Sequence, residues 1–391
     1  MADSQKTLGI YVHVPFCRKK CEYCDFYSQG GSIPSETGDA YVEAVCRHLA
    51  ETGARVPGRK VDTIYFGGGT PTYLGRWGLC RILDEIFRRF DVRPEAEITF
   101  EANPDSADAR LLRQLRRAGF NRVSLGVQSD KNEILRALGR PHTFPRARQA
   151  VEDARKAGFD NLSVDLMYGL PGQKRSTWSE TLESILALEP EHISAYALTI
   201  MEGTPLASYV DCITLPDDDT QADMYLEMVH TLTDRGYVQY EISNLARPGR
   251  ECRHNLAYWT DGEYLGFGPA ASSYYGGLRF TCKPDLQSYI DCILHAQGEL
   301  FSENVEIPRG ECATEYLTLR LRTVRGINHR EYAAFGLPFA PLEEELRRME
   351  QQGLAERAKD RSWHLTPEGF LVSNSLIVRL LELQEASALT T

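Results

Sequence analysis

The stretches "RRAGFNRVSLGV" (116–127) and "RKAGFDNLSVDL" (155–166) are two copies of one phrase, a helix end that runs into a strand. In each, a glycine (Gly119, Gly158) stands where a left-handed cap costs least, and a strand-like run follows it. "DRGYVQYEIS" (234–243) repeats the phrase more faintly. Ala147, Ala150, Val151, Ala154 and Ala157 have the spacing of a buried helical stripe before Gly158. Another helix is expected to start at Thr177, with Glu180 completing a capping box. Strand-like runs at 9–14, 62–67, 96–101, 121–127, 161–168 and 192–199 alternate with helical patterns. Six consecutive β/α units predict a parallel sheet with right-handed crossovers. Six fall short of the eight that close a full barrel, so the expected α/β fold is an open, partial (β/α)6 barrel or a doubly wound sheet.

That unit is expected over 6–215. Acid-rich "LPDDDTQADMY" (215–225) marks a boundary, with Asp217 to Asp219 favouring the start of a helix. A connecting segment is expected over 216–304. From 305 to 391 the pattern reads helix, helix, short strands around a turn, helix, a small winged-helix-like α+β unit. The net charge of −11 argues against a protein-wide nucleic-acid surface, so this unit is expected to pack and not to bind DNA. No run of about 18 apolar residues is present, and "MADSQKTLGI" lacks a basic segment followed by an apolar one. Seven of the ten cysteines (46, 80, 212, 252, 282, 292, 312) are scattered singly and read as buried small hydrophobes. A reducing, cytoplasmic setting without a membrane span is the expectation.

The other three, Cys17, Cys21 and Cys24, lie in "YVHVPFCRKKCEYCDFYS" with the spacing C-x3-C-x2-C, and Phe26 stands where a fourth thiol could follow. Three thiolates select zinc or an iron–sulfur cluster. A structural zinc site takes four closed ligands, and no nearby Cys or His offers an obvious fourth. A [4Fe–4S] cube held by three cysteines keeps one iron open for an exchangeable ligand. Functional residues of parallel β/α folds gather at the carboxyl ends of strands. Those ends carry the cysteine loop, "FGGGTPT" (66–72), Glu101 in "ITFEANPD", Gln128 in "SLGVQS", Asp165 in "VDLMYGLPG" and the region of Ala197. Each alone has a bland structural reading; five on one rim point to a ligand site.

C-x3-C-x2-C followed by "GGGTP" resembles the radical S-adenosylmethionine (SAM) superfamily. "YVHVPFCRKKCEYCDF", "FGGGTPT", "LGVQS", "LGRPH", "DLMYGLPGQ" and "LTPEGFLVSNSLIVRLL" resemble the branch that holds oxygen-independent coproporphyrinogen dehydrogenase and its heme-chaperone relatives. The resemblance implies that Cys17, Cys21 and Cys24 hold a [4Fe–4S] cluster. It implies that Tyr11, Gly68, Gly69 and Thr70 contact SAM, and that Glu101, Gln128, Arg140 and Asp165 meet its nucleoside and methionine parts. Cleavage of SAM in that superfamily needs an injected electron, hence a low-potential donor as partner.

Within the branch, the dehydrogenase resembles C-x3-C-x2-C-x-C with a long preceding segment, whereas this chain has Phe26 and ten residues before Tyr11. "CRHNLAYW" (252–259) is similar to the chaperone group's heme-associated signature. His254 is the implied heme ligand, with Tyr258 and Trp259 offering flat surface to a porphyrin. Ser272 stands where relatives often have a second histidine. The expectation is a heme-binding protein that delivers heme to acceptor hemoproteins. Oxidative decarboxylation of coproporphyrinogen III, or another SAM-radical reaction on a tetrapyrrole, is the alternative.

Overall fold

The computed structural model describes residues 7–388. The first residue of the expected barrel segment and the last three of the C-terminal unit lie outside these described residues. Six parallel strands form the centre of the sheet: β1 (Leu8–Val14), β2 (Lys60–Gly68), β3 (Asp91–Ala102), β4 (Arg122–Gln128), β5 (Leu162–Tyr168) and β6 (His192–Ala197). They pair in chain order, β1 to β6, each neighbour parallel. Helices Ser35–Gly53, Gly75–Arg89, Ala109–Ala118, Phe144–Ala157 and Arg175–Leu186 are the crossovers. The expected partial (β/α)6 barrel is therefore present.

Its local signals work as their chemistry requires. Gly119 and Gly158 end their helices with φ of 115° and 92°, a conformation that costs any residue with a Cβ. Ala147, Ala150, Val151 and Ala154 are buried beneath the sheet. Asp217 caps helix Asp218–Asp234 by accepting from the Thr220 N–H. The helix expected from Thr177 instead begins at Arg175, and no side chain caps it. Thr177 lies inside its first turn, and Glu180 accepts from Lys131 at 2.6 Å, so there is no capping box.

The segment after the barrel does more than connect. It supplies β7 (Val238–Glu241), β8 (Asn244–Ala246), β9 (Glu263–Phe267), β10 (Ser272–Tyr275), β11 (Leu278–Cys282) and β12 (Phe301–Glu306). Strand β8 pairs antiparallel with β6, while β9 pairs parallel with β1. One twelve-stranded sheet results, in the order β12-β11-β10-β9-β1-β2-β3-β4-β5-β6-β8-β7. The C-terminal part has helices Arg309–Arg320 and Ala340–Gln351, an antiparallel pair of strands (Ala355–Arg357 with Trp363–Leu365), and helix Ser373–Ala388. One apolar cluster runs from Leu8 and Val12 through Trp178 to Leu346, Trp363 and Leu380. Among the described residues, no helix is long and apolar enough to cross a membrane.

Candidate functional site

Alternation along the strands builds the site. On β4, Val123, Leu125 and Val127 face one way into apolar core, while Arg122, Ser124, Gly126 and Gln128 line a cavity of about 470 Å³ inside the sheet's curve. Tyr65 on β2, Glu101 on β3, Ser163 and Asp165 on β5, and His192 and Tyr196 on β6 face the same cavity. Cys17, Cys21 and Cys24 line it as well.

The cysteine loop is fastened on several sides. Glu22 N–H donates to Leu138 O at 3.1 Å, and Leu206 N–H to Glu22 O at 2.8 Å. The glycine run meets it closely: Gly69 N–H donates to Val14 O and Thr70 N–H to Phe16 O, at 2.9 and 2.7 Å. A Cβ on Gly69 would stand 2.7 Å from Phe16 O, and one on Gly68 (φ +104°) would stand 2.6 Å from the His13 ring. Both glycines are thus required by the chain's own backbone and the neighbouring ring, whatever they also offer to a ligand. Thr70 Oγ1 lies 3.6 Å from Cys17 Sγ and accepts from Asn103 Nδ2 at 3.1 Å.

Arg140 reaches the same end of the cavity. It donates to Cys21 Sγ at 3.5 Å, and to Asn103 Oδ1 and the Gly126 carbonyl at 2.5 Å each. Burial pushes the Cys24 thiol up to about 11, and the charges of Cys21 and Cys17 add to the rise. Cys24 must therefore surrender a proton when a metal centre forms, as must Cys17, whose thiol burial also raises. Among the described residues, no three His, Cys, Asp or Glu side chains converge on one metal-ion position. A four-iron cube does not need that, because each thiolate binds a different iron.

Two carboxylates stand inside the cavity. Glu101 accepts from Tyr65 OH at 2.8 Å and from the Gly68 N–H, yet burial pushes its carboxyl up to about 7. Asp165 accepts from Ser124 and Ser163, at 2.9 and 3.4 Å, and burial raises it to about 6 against the pull of Arg122. Gln128 sits at a bulge with φ +69° and accepts from Tyr196 OH at 3.3 Å. Tyr11 OH lies 3.1 Å from His13 Nδ1, and its ring stacks at 6.3 Å on Tyr65. The sequence-derived set therefore comes together around one cavity: the three cysteines, Tyr11, Gly68, Gly69, Thr70, Glu101, Gln128, Arg140 and Asp165. Tyr65, Asn103 and Arg122 were missed. All three lie on or just beyond a strand already marked as part of the rim, and alternation from Glu101 and Gln128 points to Asn103 and Arg122.

His254 is also at this cavity, but not as an open ligand. Glu97 on β3 accepts from the Arg253 and His254 N–H groups at 3.0 and 3.2 Å, which draws helix Arg253–Trp259 against the barrel. The imidazole is 1% exposed and stacks on Tyr65 at 5.1 Å. Its Nδ1 lies 2.8 Å from Thr63 Oγ1 and its Nε2 2.9 Å from Tyr258 OH. Burial and the Arg122 charge push its pKa down to about 3, so it is a neutral ring with both nitrogens occupied. Both ring nitrogens are thus engaged within the protein, and ligation of heme iron by His254, the expectation from the sequence, would have to replace one of these bonds. Ser272 is bonded to Thr281 at 3.0 Å in the neighbouring strand.

Comparison with known proteins agrees with this geometry. The radical SAM superfamily model matches residues 11–185, and the HemN C-terminal domain model matches residues 307–372. The heme chaperone HemW of Bacillus subtilis (strain 168) is 34% identical over 94% of this chain and 97% of its own length. That of Escherichia coli (strain K12) is 36% identical over 95% of this chain and 97% of its own. The chain belongs to the HemW family. The radical SAM enzyme coproporphyrinogen III oxidase (HemN) of Escherichia coli has the same fold, with a TM-score of 0.83 at 25% identity over 96% of this chain and 90% of that one.

Membership in the radical SAM superfamily implies a [4Fe–4S] cluster and SAM, and the residues present fit both. Three thiols share one cavity with an arginine that already donates to one of them. Around them stand carboxylate, amide, hydroxyl and aromatic groups of the kinds that hold an amino-acid and nucleoside ligand.

Proposed function

We propose that this chain is a heme chaperone: it binds heme and passes it to acceptor hemoproteins from a scaffold that carries a [4Fe–4S] cluster and SAM. The observation that carries the reading is likeness along nearly the whole length to proteins named heme chaperone HemW, at 34% and 36% identity. Cys17, Cys21 and Cys24 are the cluster ligands in this proposal. When bound, the cluster supplies an open iron for the methionine end of SAM and a route for one electron into it. Arg140 then balances thiolate charge beside Cys21 and holds Asn103 in place. Glu101, Gln128, Asp165, Gly68, Gly69, Thr70 and Tyr11 are the SAM contacts, with Tyr65 fixing the Glu101 carboxylate.

A low-potential electron donor is a partner only where SAM is cleaved. All ten cysteines are unpaired, in keeping with the reducing cytoplasm as the site of action.

The second reading, conversion of coproporphyrinogen III, is favoured by the likeness to coproporphyrinogen III oxidase. Phe26 in the place of a fourth cysteine speaks against it. The test is anaerobic reconstitution, iron and sulfide analysis, a heme titration, and an assay of protoporphyrinogen formation with SAM and a strong reductant. About four irons per chain, saturable heme binding and heme transfer to an apo-hemoprotein are expected. Absence of heme binding, or robust protoporphyrinogen formation, overturns the proposal.

A further inference from the structure

A second cavity, about 550 Å³, opens beside the first. The two share Tyr11, Phe26, Gly68, Glu101 and Tyr258, and the second continues to Tyr264 and Ala270. Phe26 stands at this junction 63% exposed, a large apolar ring that the protein core does not absorb. Tyr258 also borders both cavities and is held rigidly. Tyr264 packs edge-on against its ring at 4.5 Å, and its hydroxyl is tied to His254 Nε2, whose Nδ1 is tied in turn to Thr63. Lys19 and Lys20 line the first cavity together with Phe26.

This is a cleft with aromatic walls that also carries the Asp25 and Glu101 carboxyl groups, and at Phe26 it meets Lys19 and Lys20 of the first cavity. It suits a flat apolar ring whose carboxylates point out of the cleft toward those lysines. We infer that the heme macrocycle docks in this side cleft against Phe26 and Tyr258, with its propionates toward Lys19 and Lys20. In the same arrangement "HNLAYW" serves by fixing Tyr258, and His254 is a positioning residue that gives no nitrogen to the iron. The inference rests on the heme-carrying reading above and names where and how that cargo is held.

The chain itself explains why the motif has this form. A helix of seven residues places His254 and Tyr258 one turn apart, on the same face, where Nε2 and the phenol meet at 2.9 Å. Thr63 and the Tyr65 ring fix the imidazole from the barrel side. Ligation through either nitrogen would sacrifice one of the two hydrogen bonds of a buried ring and take that partner from a hydroxyl.

The test uses the reconstituted full-length chain, titrated with ferric heme by Soret absorption and with metal-free protoporphyrin by fluorescence. Phe26→Ala, a change at an exposed side chain, is expected to weaken both ligands by roughly ten- to a hundredfold with cluster content unchanged. His254→Ala is expected to weaken both as well, because Tyr258 loses its anchor. His254→Gln, whose amide reaches the Tyr258 hydroxyl, is expected to restore affinity and to leave the Soret maximum where it is in the parent. Parent-like heme affinity in Phe26→Ala overturns the cleft assignment. A moved Soret maximum in His254→Gln, with metal-free protoporphyrin still bound normally, overturns the positioning role and makes His254 a ligand. A parent chain that binds neither porphyrin defeats the chaperone reading itself, a result distinct from failure of the variants.

Discussion

Glu101 gives a quantitative handle on the site. Its carboxyl titrates near 7 in the fold and near 4.5 in an exposed chain. The folded state therefore holds its proton more tightly than the unfolded state. For a raised carboxyl, the associated stability is fully present below about 4.5, declines as pH rises through the window up to about 7, and is gone above it. Across that window the loss is on the order of 3 kcal/mol, and roughly 2–3 kcal/mol of it falls between pH 5 and pH 8. Glu101→Gln removes the titration while keeping a carbonyl oxygen for Tyr65 OH, now 2.8 Å from the carboxylate.

The extra amide hydrogens of the glutamine cost about 1 kcal/mol at every pH, an offset that cancels when two pH values are compared. Asp165 titrates in both chains and cancels to first order. The expected result is that the variant gains on the parent by roughly 2–3 kcal/mol between pH 5 and pH 8. Urea unfolding of the cluster-free protein, followed by circular dichroism at four pH values, measures it. Parallel pH profiles for the two proteins would refute the claim that the fold holds Glu101 at a cost. Glu101 is a SAM contact in the proposed function, so the same variant is expected to bind SAM more weakly.

Cys17→Ala, Cys21→Ala and Cys24→Ala are each expected to abolish stable cluster binding, read as iron and sulfide per chain. Cys252→Ala should retain the cluster, because that thiol faces Glu97 and not the cysteine loop. Asp165→Ala should retain the cluster and weaken SAM by roughly ten- to a hundredfold in an equilibrium titration; unchanged affinity would remove Asp165 from the site. Gly69→Ala should lower the melting temperature and the cluster yield together, since its methyl would sit 2.7 Å from Phe16 O, an overpacking that typically costs about 1–3 kcal/mol.

The parts of the fold legible in the sequence were those set by local chemistry. Glycine caps, apolar stripes and β-branched runs act over one turn or one strand, and all six parallel strands lie within a few residues of their expected positions. What depended on distant partners was not legible. Strands β7 to β12 are short, and they join the sheet only through β8 on β6 and β9 on β1, partners that lie far away in sequence. Residue 254 could be recognised as part of a motif, but its environment is made by Thr63, Tyr65 and Glu97, between 157 and 191 residues earlier. A motif shows which residues travel together; only the tertiary neighbours show whether a ring nitrogen is free.

One signal in the strands carried more than its local content. Strands of a parallel sheet covered on both faces read as nearly continuous apolar runs. Here "RVSLGVQ" on β4 and "LSVDL" within β5 place a polar or glycine residue at every second position, although both strands are almost wholly buried. Burying such groups without partners is costly, so an inward polar face implies either a closed hydrogen-bond network or a cavity that receives a ligand. Both are present. Ser124 and Ser163 are satisfied by Asp165, whereas Arg122 Nε and Thr99 Oγ1 are buried with no partner. A guanidinium that is 2% exposed, beside an open cavity that already holds two carboxylates raised by burial, is not what core packing alone would select. The polarity of the strand interiors thus marks a ligand chamber independently of the cysteine motif, one whose wall on β4 runs from Arg122 to Gln128 and which the three thiols also line.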